Sequence, residues 1–171
     1  MKNIILKNGI IGGTIVSVIM IFVTLYMKAN PDNEPSMIVG FGSMFLAFVF
    51  VILGIKQHRD ANNNSITFGK AFITGILISL VISIIYVIVW LIIHYNFFPD
   101  FMEKYGEMVL KNTKPEDIAE KTKEINQMKE WYKSPIMVIL LTFMEILPLG
   151  IVVSLVGALV LKRKANNDIN S

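Results

Sequence analysis

Cysteine is absent from this 171-residue chain, which excludes disulfides, thiolate metal sites and cysteine nucleophiles and leaves the redox compartment unspecified. Charge is scarce as well. Only 17% of the residues are charged and 54% are hydrophobic, whereas soluble domains carry roughly 25% charged residues. The charges fall in a few short intervals, and that segregation argues against a soluble domain. There are two histidines, His58 and His94, expected on opposite faces of a membrane and so unable to share a metal. No Ser-His-Asp set, phosphate-binding glycine loop, paired-histidine metalloprotease motif or clustered carboxylate pair occurs. Neither enzyme activity nor a cofactor nor a metal is expected. The GIIGG of Gly9 to Gly13 lacks a preceding strand and an acidic partner, so it reads as a packing motif.

What is present is four long apolar runs. Gly9 to Met27 and Met37 to Ile55 each supply 19 uncharged residues, close to the roughly 20 that cross a 30 Å hydrocarbon core at 1.5 Å per residue. A third run extends from Ala71 to about Ile93, bracketed by Lys70 and by His94 with Tyr95; Tyr86 and Trp90 are expected toward that same interface. The fourth opens with Ser134 as N-cap and Pro135 at the first helical position, and ends at Leu161 before Lys162-Arg163-Lys164. Backbone amides in lipid must be bonded within the segment, so these runs are helices, and the lack of ten-residue alternation excludes a barrel.

The expected fold is an all-α membrane protein. A bundle of four transmembrane helices carries an extramembrane amphipathic helical hairpin between its third and fourth helices, and residues 1–171 form a single integral membrane domain. The first run is read as an uncleaved anchor, its apolar core being longer than that of a secretory signal. Lys2 and Lys7, then Lys56, Arg59 and Lys70, then Lys162 to Lys164 alternate with a connection holding Lys28 against Asp32 and Glu34. The positive-inside rule then puts both termini in the cytoplasm. The net charge of +3 belongs to residues flanking apolar spans, so the expected partner is anionic lipid and not nucleic acid.

Residues 99–133 hold seven lysines and eight acidic residues and read as two helices. Thr113 with Glu116 matches a capping box opening an amphipathic helix from about Pro115 to Lys133, with Ile118, Ile125, Met128 and Tyr132 on one side. A shorter helix from Pro99 to about Lys111 aligns Phe101, Tyr105, Met108 and Val109. The hairpin rests this apolar stripe on the membrane surface or on the ends of the neighbouring spans, or it docks a partner.

Within the spans, small residues recur four apart at Gly9, Gly13 and Ser17, at Ala71, Gly75, Ser79 and Ser83, and at Gly150, Ser154 and Ala158. Such stripes permit close helix packing, in a compact bundle or in an oligomer. Glu145 is the one ionisable residue deep in a span. An ionised carboxylate there costs several kcal/mol or more, so it must face the bundle, bind a partner or stay protonated. Pro148 removes a backbone donor three residues later. Structural anchoring, partner contact and transport all remain open for this pair, although a proton relay lacks a second station. At the inner surface Arg59, Lys70, Lys162 and Arg163 are candidates for binding an anionic lipid head group, or serve as topology determinants alone.

The glycine-bearing first helix, the Arg59-Asp60 pair, the stretch Ile66-Thr67-Phe68-Gly69-Lys70-Ala71-Phe72, the Phe98-Pro99 exit and Glu145-x-x-Pro148-x-Gly150 together resemble the domain-of-unknown-function 4199 family of small bacterial inner-membrane proteins. The resemblance spans nearly the whole chain. It implies an inner-membrane location and a joint importance of Arg59, Asp60, Phe68, Gly69, Glu145 and Pro148, and it carries no assigned activity. Similar families supply partners of envelope machinery, an analogy only. The leading expectation is a non-catalytic membrane subunit or scaffold of such machinery, able to bind a membrane protein or a second copy of itself. The alternative is a small proton-coupled transporter or anionic-lipid carrier using Glu145.

Overall fold

Six helices account for most of the computed structural model, which describes residues 1–30 and 37–164. They are α1 (Lys2–Ala29), α2 (Met37–Asp60), α3 (Phe68–Asn96), α4 (Phe101–Asn112), α5 (Ile118–Tyr132) and α6 (Pro135–Leu161). Four of them, α1, α2, α3 and α6, are long and apolar enough to cross a membrane, and the chain is a multi-pass membrane protein on that ground. Asp32 and Glu34, counted above in the α1–α2 connection, lie outside the described residues.

The first three spans overrun the apolar runs that announced them, because a helix continues until its end groups find other partners. The α3 helix starts where the Thr67 hydroxyl accepts the Lys70 amide at 3.4 Å. The α2 helix ends in a turn where the Asn62 amide bonds the Arg59 carbonyl. Asn63 and Asn64 there adopt φ of 51° and 54°, a left-handed conformation that asparagine tolerates better than most residues. The α6 helix has the bounds expected of it. Ser134 occupies its N-cap position, although the side chain makes no capping bond.

The capping box expected of Thr113 and Glu116 does not form. The Thr113 hydroxyl turns back to donate to the Val109 carbonyl at 2.6 Å, satisfying an orphan acceptor at the end of α4 instead of an orphan donor of the next helix. A short 3-10 turn over Pro115–Asp117 follows, and α5 begins three residues later than the sequence pattern suggests. The two short helices pack on one another where Gly106 admits Ile125: a Cβ on Gly106 would lie 2.8 Å from the Ile125 Cγ2.

The α2 and α3 helices form the centre of the bundle, with α1 packed on one flank of the pair and α6 on the other. The small-residue stripes make these contacts. A Cβ would meet Val81 at 2.6 Å if built on Gly9, Ile85 at 2.8 Å on Gly13, Ser154 at 2.8 Å on Gly75 and Ser79 at 2.7 Å on Gly150. Backbones thus approach as closely as dispersion in a lipid solvent requires. The Ser79 hydroxyl donates to the Gly150 carbonyl and meets the Ser154 hydroxyl, both at 3.2 Å. At the end of the bundle where α1 begins and α6 ends, Ile66 and Arg163 exchange backbone hydrogen bonds of 2.9 Å in each direction. At the other end, Lys28 on α1 donates to the Phe97 carbonyl at 2.8 Å.

Candidate functional site

The Ser79–Gly150 contact sets the antiparallel register of α3 and α6, and that register determines what meets Glu145. Tyr86 stands seven residues further along α3, about 10 Å of rise, and Glu145 five residues back along α6, about 8 Å. The two side chains therefore come nearly level and line one cavity together, to which Glu145 is exposed. Tyr86 is only 8% exposed. Tyr86 therefore faces into the bundle, level with Glu145, which suits a phenol whose polar tip needs company in an apolar setting.

Glu145 opens into a cavity of about 530 Å³ in the α4/α5 half of the bundle, a volume typical of small-molecule sites. The α1 helix contributes Met20, Val23, Thr24 and Met27 to the wall, and α2 contributes Gly40, Phe41, Ser43 and Met44. Tyr86 and Trp90 come from α3. The roof is α4, whose Phe101, Tyr105, Met108 and Val109 are the stripe the sequence aligned. That stripe lines the cavity instead of lying on a surface, with Phe101 set edge-on to Trp90 at 4.9 Å. Toward the start of α1 the cavity gives way to packed core, where Phe48, Ile78, Ile82 and Ile146 are fully buried.

Polar groups in this lining are few. The Thr24 hydroxyl donates to the Met20 carbonyl at 2.8 Å and the Ser43 hydroxyl to the Gly40 carbonyl at 2.6 Å, so both are engaged by their own helices. Tyr132, at the end of α5, reaches into the cavity close to Glu145 and Tyr86. Burial among neighbouring rings, with Glu145 nearby as a lesser cause, pushes its phenol up to about 12. It therefore stays neutral and keeps its proton for donation at any ordinary pH. Glu145 is the one charged residue among those that line the cavity.

The other candidate residues are not gathered here. Pro148 lies nearly one turn further along α6, exposed on the outside of the bundle. Arg59 and Asp60 pair with each other at 2.9 Å at the C-terminal end of α2, about 22 Å of helix rise beyond Met44 in the cavity wall. The joint role implied for Arg59, Asp60 and Glu145 therefore has no direct contact behind it. Lys70, Lys162 and Arg163 are exposed at that same end, where Arg163 is held by its backbone to Ile66. His58 donates to or accepts from the Thr74 hydroxyl at 2.7 Å. His94, at the opposite end, is stacked on Trp90, tilted against Tyr95 and edge-on to Tyr132, its Nδ1 without a partner. No group of three or more His, Cys, Asp or Glu able to hold a metal ion exists among the described residues.

Sequence reasoning found Glu145 and the α4 stripe but did not connect them. It missed Tyr132, Met20 and Met44 as residues that line the same cavity as the carboxyl. The only signal for them was register, since each sits in a run or stripe whose composition alone suits lipid contact. The family model described as "Protein of unknown function (DUF4199)" matches residues 7–163. No curated protein and no solved structure matches the chain.

Proposed function

The chain thus belongs to the DUF4199 family, and because that membership brings no activity with it, we propose from the site alone that this is a non-catalytic ligand-binding protein of the bacterial inner membrane. It holds a small molecule in the cavity that ends at Glu145. Both termini face the cytoplasm in this reading, and α4 and α5 cover the cavity on the opposite, extramembrane side. The observation that carries it is the coincidence of the one deeply placed carboxyl with the cavity, since a group so costly in lipid is retained where something answers it. The packed core toward the start of α1 supports binding from one side and speaks for no continuous proton path. The basic residues at that end then act as topology determinants, for none of them reaches the cavity.

A second reading keeps the chain as a membrane subunit or scaffold. It is favoured by the outward face of α5, where Trp131 is 38% exposed beside ion pairs such as Lys121–Glu124 at 2.6 Å, an aromatic with a polar rim of the kind partners use. Native mass spectrometry of protein purified in mild detergent separates the two. The ligand reading predicts a stoichiometric small molecule that disappears in Gly40→Trp, a substitution whose Cβ meets nothing within 4 Å and whose ring fills the cavity. A stoichiometric protein partner, retained by Gly40→Trp and accompanied by an empty cavity, overturns it in favour of the subunit.

A further inference from the structure

Resting on the ligand-binding reading above, we infer that the cavity takes a monovalent organic cation, an amine or quaternary ammonium group carried on an apolar body. The inference starts from charge. Glu145 is a lone acid, and no Lys, Arg or His is among the residues lining the cavity. Ionised, a carboxylate within a lipid-embedded bundle needs a counter-charge; the lining offers only phenols from Tyr86, Tyr105 and Tyr132, so Glu145 either holds its proton or is answered by a bound cation.

The lining then distinguishes among counter-charges. Ca²⁺ requires six to eight oxygen ligands and Mg²⁺ near-ideal octahedral geometry, while one carboxyl and two phenols are far short of such a set. The Thr24 and Ser43 hydroxyls are spent on their own helix carbonyls. An anionic lipid head group is disfavoured by the sign of Glu145 itself. The cavity that the carboxyl opens into is lined by aromatics, Phe41, Tyr86, Trp90, Phe101, Tyr105 and Tyr132, drawn from four helices. Aromatic faces attract cations through their quadrupoles, Trp and Tyr most strongly, and the attraction grows when water is excluded. Met20, Met27, Met44 and Met108 supply a polarisable, conformationally adaptable wall for the apolar body of the ligand. A carboxylate, a ring of aromatic faces and a methionine wall suit one chemical class, a weakly hydrated cation with hydrocarbon attached.

The test uses the full chain in nonionic detergent with the substitution Trp131→Phe, which leaves Trp90 in the cavity as the sole tryptophan. Benzyltrimethylammonium and its uncharged isostere neopentylbenzene are titrated while Trp90 fluorescence is read. The inference expects the cation to bind at least about tenfold more tightly than the isostere, the equivalent of one decade in affinity. It expects Glu145→Gln to abolish that preference while the isostere still binds, which also reports that the variant is folded. Should Glu145→Gln fail to fold, Phe41→Leu serves instead, and it is expected to lower cation affinity about threefold or more and to leave the isostere unaffected. Equal binding of both probes overturns the cation and leaves the ligand-binding reading standing. Absence of binding by either probe, in protein whose helical signal and melting are normal, overturns both.

Discussion

Glu145 owes its meaning to what it lacks. A carboxyl that anchored the fold would have a strong donor set fixed around it, whereas this one has a phenol, a second phenol nearby and open space. Glu145→Leu is therefore predicted to raise the thermal midpoint of the detergent-solubilised protein, by the equivalent of up to about 3 kcal/mol, since it removes a group disfavoured in lipid. A lowered midpoint would identify the residue as a structural anchor. Acidification gives a second residue-scale prediction, because a proton and an organic cation compete for the same carboxyl. Binding of benzyltrimethylammonium is expected to weaken as pH falls through the range in which Glu145 takes up a proton. Tyr86, Tyr105 and Tyr132 also line the cavity from α3, α4 and α5; burial holds the Tyr132 phenol neutral, and α1 and α2 present no ionisable side chain to it. Isothermal titration at a series of pH values would show a flat profile if this were wrong. The sequence alone disclosed that Glu145 was unusual, because a single carboxylate in an apolar run is visible without any structure. It did not disclose Tyr86 as its neighbour, because an aromatic with a polar tip reads equally well as an interfacial anchor.

Between elements, packing outweighs hydrogen bonding at the α3–α6 contact. Ser79→Ala removes two bonds of 3.2 Å, and such bonds between membrane helices average about 0.6 kcal/mol. Gly150→Val would force a Cβ to within 2.7 Å of the Ser79 Cβ and 2.8 Å of Phe48, and overpacking of this kind costs about 1–3 kcal/mol. The melting midpoint is predicted to fall further for Gly150→Val than for Ser79→Ala. Gly106→Val is predicted to act differently. By pushing α5 away from α4 it disturbs the roof and weakens ligand binding, with little change in melting, because the four long helices do not depend on that contact. Element boundaries were legible where punctuation is strong, as at Ser134-Pro135 and at Lys162 in α6. They were underestimated in α1, α2 and α3, where hydrophobicity marks the thickness of the lipid core and not the length of the helix. The capping pattern at Thr113 misled because one hydroxyl can serve either the helix before it or the helix after it, and sequence does not say which.

For the whole molecule, the pattern that identifies spans also hides which face of each span looks inward. Helices in lipid are apolar all round, so amphipathic periodicity, which orients a helix in a soluble protein, is nearly silent here. The small-residue stripes replaced it as a guide to contacts, and they were read correctly as contact surfaces. The cavity lies where the stripes run out, and nothing in the composition marks that limit. Absence of native cysteine makes topology directly measurable. Single cysteines at Asn126, exposed on α5, and at Asn63 are predicted to react with a membrane-impermeant maleimide from opposite sides of intact cells, Asn126 from outside and Asn63 only after permeabilisation. Labelling of both from one side would refute the arrangement. The mutual backbone bonds of Ile66 and Arg163 bear on how a ligand enters. They fasten the exit of α6 to the entrance of α3, so the bundle resembles forceps riveted at one end, and admission of a guest comes from spreading α2 and α6 at the opposite tips, where the Lys28–Phe97 bond ties only α1 to α3. Spin labels on Ile38 and Ile136 should therefore separate and close with occupancy while a pair on Lys56 and Lys162 keeps its spacing.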